Sequence, residues 1–106
     1  MSDEQAVFVY LDGTSLPDEV YEQHDLATLE DELIALIGRG RLGEFDGNEI
    51  GPTGTTLYMY GPNASVLFKG IEPVLRASPL CQNAKVVIRS GGPGASVTET
   101  RIPMSR

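Results

Sequence analysis

With one cysteine in 106 residues, Cys81, the chain can form neither an internal disulfide nor a thiolate zinc cage. One histidine, His24, leaves no second imidazole for a metal site and no nearby cysteine for a catalytic dyad. No apolar run approaches the roughly 18 residues of a membrane span, and the acidic start Met1-Ser2-Asp3-Glu4 lacks the cationic region of a signal peptide. A soluble cytoplasmic protein is the expectation. Positive charge is scarce: eight Lys and Arg stand against fifteen Asp and Glu, net charge -7. That disfavours nucleic acid or an anionic membrane held through phosphate contacts. Internal repeats and low-complexity tracts are missing as well. What remains is an ordinary composition, 22% charged and 41% hydrophobic, which fits one domain over residues 1–106 with a single core.

The charge that is present is unevenly spread. Residues 1–49 hold thirteen acids and two bases, while residues 50–106 hold two acids and six bases, so the folded molecule is expected to be electrically lopsided unless folding interleaves the halves.

Ala6 to Leu11 is a β-branched and aromatic run stopped by Asp12-Gly13, which predicts a central strand. A loop with a short helical turn at Asp18 to Tyr21 follows. From Leu26 the apolar residues Leu29, Leu33, Leu36 and Ile37 keep one helical face, with Asp25 or Thr28 as cap and Gly38 and Gly40 as the expected stop. Arg41 to Asp46 reads as an edge strand, with turn residues at Gly47-Asn48 and Gly51-Pro52-Thr53-Gly54. Thr55 to Tyr60 is the clearest strand of the chain. Asn63 caps a second helix carrying Val66, Leu67, Ile71, Val74 and Leu75, which Pro73 is expected to kink or restart. Lys85 to Arg89 forms the next strand, and Val97 to Ile102 pairs with it across Gly91-Gly92-Pro93-Gly94. The order β-α-β-β-α-β with an extra C-terminal strand predicts an α+β ferredoxin-like sandwich, two helices on one face of an antiparallel sheet; an α+β sheet of other connectivity is the alternative.

Local motifs carry little chemistry. Asp12-Gly13-Thr14 matches the Asp triplet of several hydrolases but reads first as a strand-ending turn. Cys81 follows Ser78-Pro79-Leu80, and nothing near it in sequence would depress its pKa. Gly38-Arg39-Gly40-Arg41 follows a helix instead of opening one, so it aims no helix N-terminus at phosphate. Asn63-Ala64-Ser65 fits a glycosylation pattern but is better explained as a helix cap. Glu44, Asp46, Asn48 and Glu49 gather oxygen ligands without the spacing of a calcium loop, and an edge strand with a turn explains them as well. No metal or cofactor is implied.

Strand alternation goes further. If Val7, Val9, Leu11, Leu57 and Met59 face the helices, then Phe8, Tyr10, Tyr58 and Tyr60 share the other face. Glu44 and Asp46 would flank those rings on one edge, with Phe45 inward, and Lys85, Val87 and Arg89 on the other. RNA-recognition motifs stack bases on such a face, but this chain lacks their basic-glycine-aromatic signature and its acidic edge would repel a phosphate backbone.

The segments Gly43-Glu44-Phe45-Asp46-Gly47-Asn48-Glu49-Ile50-Gly51, Thr56-Leu57-Tyr58-Met59-Tyr60-Gly61-Pro62 and Ile71-Glu72-Pro73-Val74-Leu75-Arg76-Ala77-Ser78-Pro79-Leu80 resemble those of a group of small uncharacterised bacterial proteins. The resemblance covers the middle and end of the chain. It implies a bacterial cytoplasmic domain and transfers no catalytic residue.

The expectation is therefore a non-enzymatic binding or regulatory module working through an open aromatic sheet face and forming a homodimer. Its candidate residues are Phe8, Tyr10, Glu44, Asp46, Tyr58, Tyr60, Lys85 and Arg89. One alternative is an acidic inhibitor or immunity-type protein that offers its N-terminal half to a basic partner. The other is a small dimeric ferredoxin-like enzyme with a pocket between sheet and cover.

Overall fold

Antiparallel pairing joins five strands in the order β2-β3-β1-β4-β5: β1 (Gln5–Asp12), β2 (Glu44–Ile50), β3 (Gly54–Gly61), β4 (Lys85–Arg89) and β5 (Val97–Arg101). The computed structural model describes residues 4–92 and 94–102. Met1 to Asp3 of the acidic start and Pro93 of the glycine-rich connector lie outside them. Helices α1 (Asp18–Gln23), α2 (Leu26–Gly40) and α3 (Ala64–Ala77) complete the α+β architecture, and none of the described helices is long and apolar enough to cross a membrane.

β1 lies in the middle of the sheet, paired to β3 and β4. Its alternation follows its side-chain chemistry: Val7 and Val9 are fully buried in the core with Leu57 and Met59 of β3 and Val86 of β4. Above them pack Leu29, Leu33 and Ile37 of α2 and Leu67, Ile71 and Leu75 of α3. Leu36, placed on the same helical stripe by sequence, is half-exposed at its border. The Gln5 side chain accepts a hydrogen bond from the Ala64 N–H at 2.7 Å, tying the start of β1 to the start of α3.

Caps explain the helix limits. Asp25 caps α2, accepting from the Ala27 N–H and the Thr28 hydroxyl. Asn63 caps α3, accepting from the Val66 N–H at 3.1 Å. Gly38 does not stop α2, which ends with Gly40 as its last residue. The left-handed residue is Arg41, at φ 52, where the Arg41 N–H donates to Gly38 and the Leu42 N–H donates to Ile37, the bond pattern of a Schellman motif. The helix ends where Leu42 must turn back over Gly40 and Gly70, whose missing Cβ atoms leave space for its side chain. Nor does Pro73 restart α3, which runs as one helix through it; Pro73 is on the exposed side, where water can serve the carbonyl its absent N–H leaves free.

The largest departure from expectation is β2, which begins later and runs to Ile50, so that Gly47 and Asn48 belong to the strand instead of a turn. The register shifts between Phe45 and Gly47. Gly47, at φ 133, supplies the backbone conformation at this bulge. The turn itself is Gly51 to Gly54, closed by the Gly51 N–H donating to the Gly54 carbonyl at 2.8 Å.

Candidate functional site

Cross-strand partners share a face of a sheet, and the registers assemble the face opposite α2 and α3 in three rows. Glu44, Tyr60, Ala6, Arg89 and Val97 form the first. Gly47, Tyr58, Phe8, Val87 and Glu99 form the middle row, and Glu49, Thr56, Tyr10, Lys85 and Arg101 the third.

The rings form one cluster. Phe8 stands edge-on to Tyr58 and Tyr60, with centroids 5.5 and 5.9 Å apart, an arrangement that aligns positive ring edges with a negative face. The Lys85 ammonium sits 4.8 Å from the centroid of Tyr10 and the Arg89 guanidinium 5.8 Å from that of Phe8. Arg89 is fixed in place because it also donates to the carbonyls of Gly91 and Glu4. Val87 is buried without joining the core, enclosed instead by its neighbours on this face. Phe8, Tyr58 and Tyr60 remain half-buried, and Tyr10 is 37% exposed.

The bulge corrects the acidic edge. Glu44 opposes Tyr60 on the aromatic face as expected, and Phe45 packs inward against the core. Asp46 is the extra residue of the bulge, exposed and opposite no partner in β3. Past it the parity of β2 reverses, so Asn48 pairs with Leu57 on the helix side and bonds Glu30 of α2. Glu49 turns to the aromatic face, where its carboxylate accepts the Tyr58 hydroxyl at 2.7 Å; that bond raises the Tyr58 pKa above its ordinary value. The oxygen-bearing cluster Glu44, Asp46, Asn48 and Glu49 is thereby divided between two faces. Sequence reasoning missed Glu49 because a bulge leaves no mark in alternation, although Gly47 inside an otherwise regular strand is its customary signal. It also missed Arg101, which parity assigns to this face once β5 is paired to β4.

The remaining candidates have structural duties. Asp12 ends β1 with one oxygen accepting from the Thr14 and Ser15 N–H groups and the other from the Asn83 side chain at 2.9 Å. These bonds, the Thr14 N–H foremost, lower its pKa to about 2. Asp12 lies in a cleft of about 460 Å³ with Tyr21, His24 and Asp25, but its carboxylate is already engaged. Burial pushes the Cys81 thiol up to about 11, which suits packing and opposes nucleophilic use. Among the described residues, no three His, Cys, Asp or Glu side chains gather to hold a metal ion.

Because Asp12 titrates below the ordinary carboxylate value of 3.8, its contribution to stability is complete above about pH 4 and is lost as pH falls towards about 2. Asn83→Gly, which preserves the positive φ of 63 at that position, is expected to bring the Asp12 pKa closer to 3.8. Carboxyl NMR titration checks this, and an unmoved pKa would show that the Asn83 bond contributes nothing.

Comparison with protein-family models, curated proteins and solved structures finds no match for this chain.

Proposed function

We infer that the chain is a non-enzymatic binding module of ferredoxin-like architecture, extended by a fifth strand, whose aromatic sheet face docks on a protein surface bearing apolar groups and both signs of charge. The strand order β2-β3-β1-β4, with α2 and α3 as the connections that cross the helix side, supports that architecture. The observation that carries the function is the half-exposed ring cluster Phe8, Tyr10, Tyr58 and Tyr60, which α2 and α3 leave on the far side of the sheet. Contiguous apolar surface rimmed by polar groups marks an interaction site in a monomer-sized domain. Aromatic and Arg side chains are also the types that carry most binding energy in protein interfaces.

A protein partner is favoured over nucleic acid because Glu44, Glu49 and Glu99 stand on this face and the whole chain carries -7. A binding role is favoured over catalysis because the Asp12 carboxylate is tied into its turn and the Cys81 thiol is held protonated.

Site-specific photocross-linking in producing cells tests this. A benzophenone side chain at Tyr10 is expected to trap a discrete protein adduct, and one at Ile34, exposed on α2, to trap none. Adducts from Ile34 alone would move the working surface to the helices and overturn the reading.

A further inference from the structure

We propose that the occupant of this face is a second copy of the same chain, stacked face to face about a two-fold axis parallel to β1. The inference rests on the docking reading above and names its partner. Three observations lead to it: β1 is the middle strand, the charges on the face are, Glu99 apart, sorted by strand, and the face has the extent of a small interface.

Charge sorting selects the axis. Glu44 and Glu49 lie on β2 at one edge, and Lys85, Arg89 and Arg101 lie on β4 and β5 at the other, with Glu99 of β5 the one acid among them, carried by the rotation onto Gly47 and not onto another acid. Rotation about an axis along β1 carries β2 of one copy onto β5 of the other and β3 onto β4, and leaves each row facing itself. Glu49 then meets Arg101 of the second copy, and Tyr60 meets Arg89, a cation over a ring. Tyr58 meets Val87, and Phe8 meets its own counterpart on the axis. An axis across the strands fails: it would set β2 on β2, with Glu44 against Glu49, and β4 on β4, with Lys85 against Arg89. Like charges so juxtaposed oppose association. Stacked sheets lie about 10 Å apart, a distance that Glu and Arg side chains reaching from both faces span.

The extent is adequate. Five strands about 4.8 Å apart, over rows covering about 20 Å, project to about 480 Å². The two faces together bury about 960 Å², the low end of specific interfaces, which fits a dimer that forms at micromolar concentrations. The contact is isologous and closes on itself, so it stops at two copies.

Sedimentation equilibrium of the purified chain at 10 to 100 µM provides the test. The wild type is expected to be a dimer. Tyr10→Asp and Tyr58→Asp should each raise the dissociation constant by about 100-fold or more, since each places a charge in the middle of the contact. Circular dichroism checks their fold; should Tyr58→Asp unfold, Tyr10→Asp decides, because Tyr10 is the more exposed ring and lies beside Lys85. Glu49→Arg and Arg101→Glu should each weaken the dimer about tenfold, and the double variant should return to within about threefold of wild type.

A wild-type monomer at 100 µM overturns the second copy. The docking reading would then stand or fall on the Tyr10 cross-link, so the two failures are distinguishable. A dimer indifferent to both aspartates also overturns the proposal, by placing the contact elsewhere, and a double variant without rescue overturns the axis.

Discussion

Gly43→Ala is expected to cost about 3 kcal/mol or more, a large part of the about 5–15 kcal/mol that stabilises a domain of this kind. Gly43 adopts φ +147, a conformation that side chains rarely take, and a Cβ there would fall on the Tyr60 carbonyl oxygen and within 2.8 Å of the Gly61 Cα. Backbone strain contributes about 1–3 kcal/mol and overpacking about as much again. β3 cannot retreat, because its other edge pairs Tyr60 with Ala6 and Gly61 with Gln5 of β1. Gly47 separates the two effects: its φ is +133, yet a Cβ there meets nothing within 4 Å. Gly47→Ala should therefore show the strain alone. Urea unfolding of both variants checks this, and equal losses would mean that the close approach of Gly43 to β3 carries no energy.

Leu33→Ala should remove about 2–5 kcal/mol, through lost burial and the cavity left behind. Leu33 is fully buried in the core cluster, and α2 is held to α3 and to the sheet. Leu36→Ala, three residues along the same helix, should cost well under half as much, because Leu36 is half-exposed and outside that cluster. Thermal or urea denaturation of the pair provides the comparison. Equal costs would contradict the orientation of α2 on the sheet.

The orientation that separates Leu33 from Leu36 was only partly legible in the sequence. Spacing of Leu29, Leu33 and Ile37 revealed the buried stripe, but Leu36 fits that stripe equally well, and only the position of the neighbouring helix decides how wide it is. The alternation Val7-Phe8-Val9-Tyr10 separated core from open face correctly, since a period of two is a local property of an extended chain. The cap at Asn63 was visible for the same reason, since it acts within three residues, whereas at α2 the sequence left Asp25 and Thr28 equal and the structure gives Asp25, with the Thr28 hydroxyl donating to it. Where sequence reasoning failed, a distant contact decided. α2 runs past Gly38 to Gly40 and turns only at Arg41, where Leu42 packs over Gly40 and Gly70, and Asp46 is the extra residue of a bulge because β3 fixes the register on either side of it. The displaced Glu49, and with it the bond to Tyr58, follow from that single extra residue.

The position of β1 also governs when the molecule can exist. As the chain leaves the ribosome, residues 5–12 emerge before their pairing partners, residues 54–61 and then 85–89. A strand so apolar, with both edges unsatisfied until residues 85–89 have been made, is adhesive for as long as it waits. Asp12-Gly13 directly after it, and the acids of α1 and the α2 cap that follow, stand where flanking charges oppose the association of an apolar strand. The acidity of the first half, absent from the core among the described residues, thus lies next in sequence to the strand on which the whole sheet is later built.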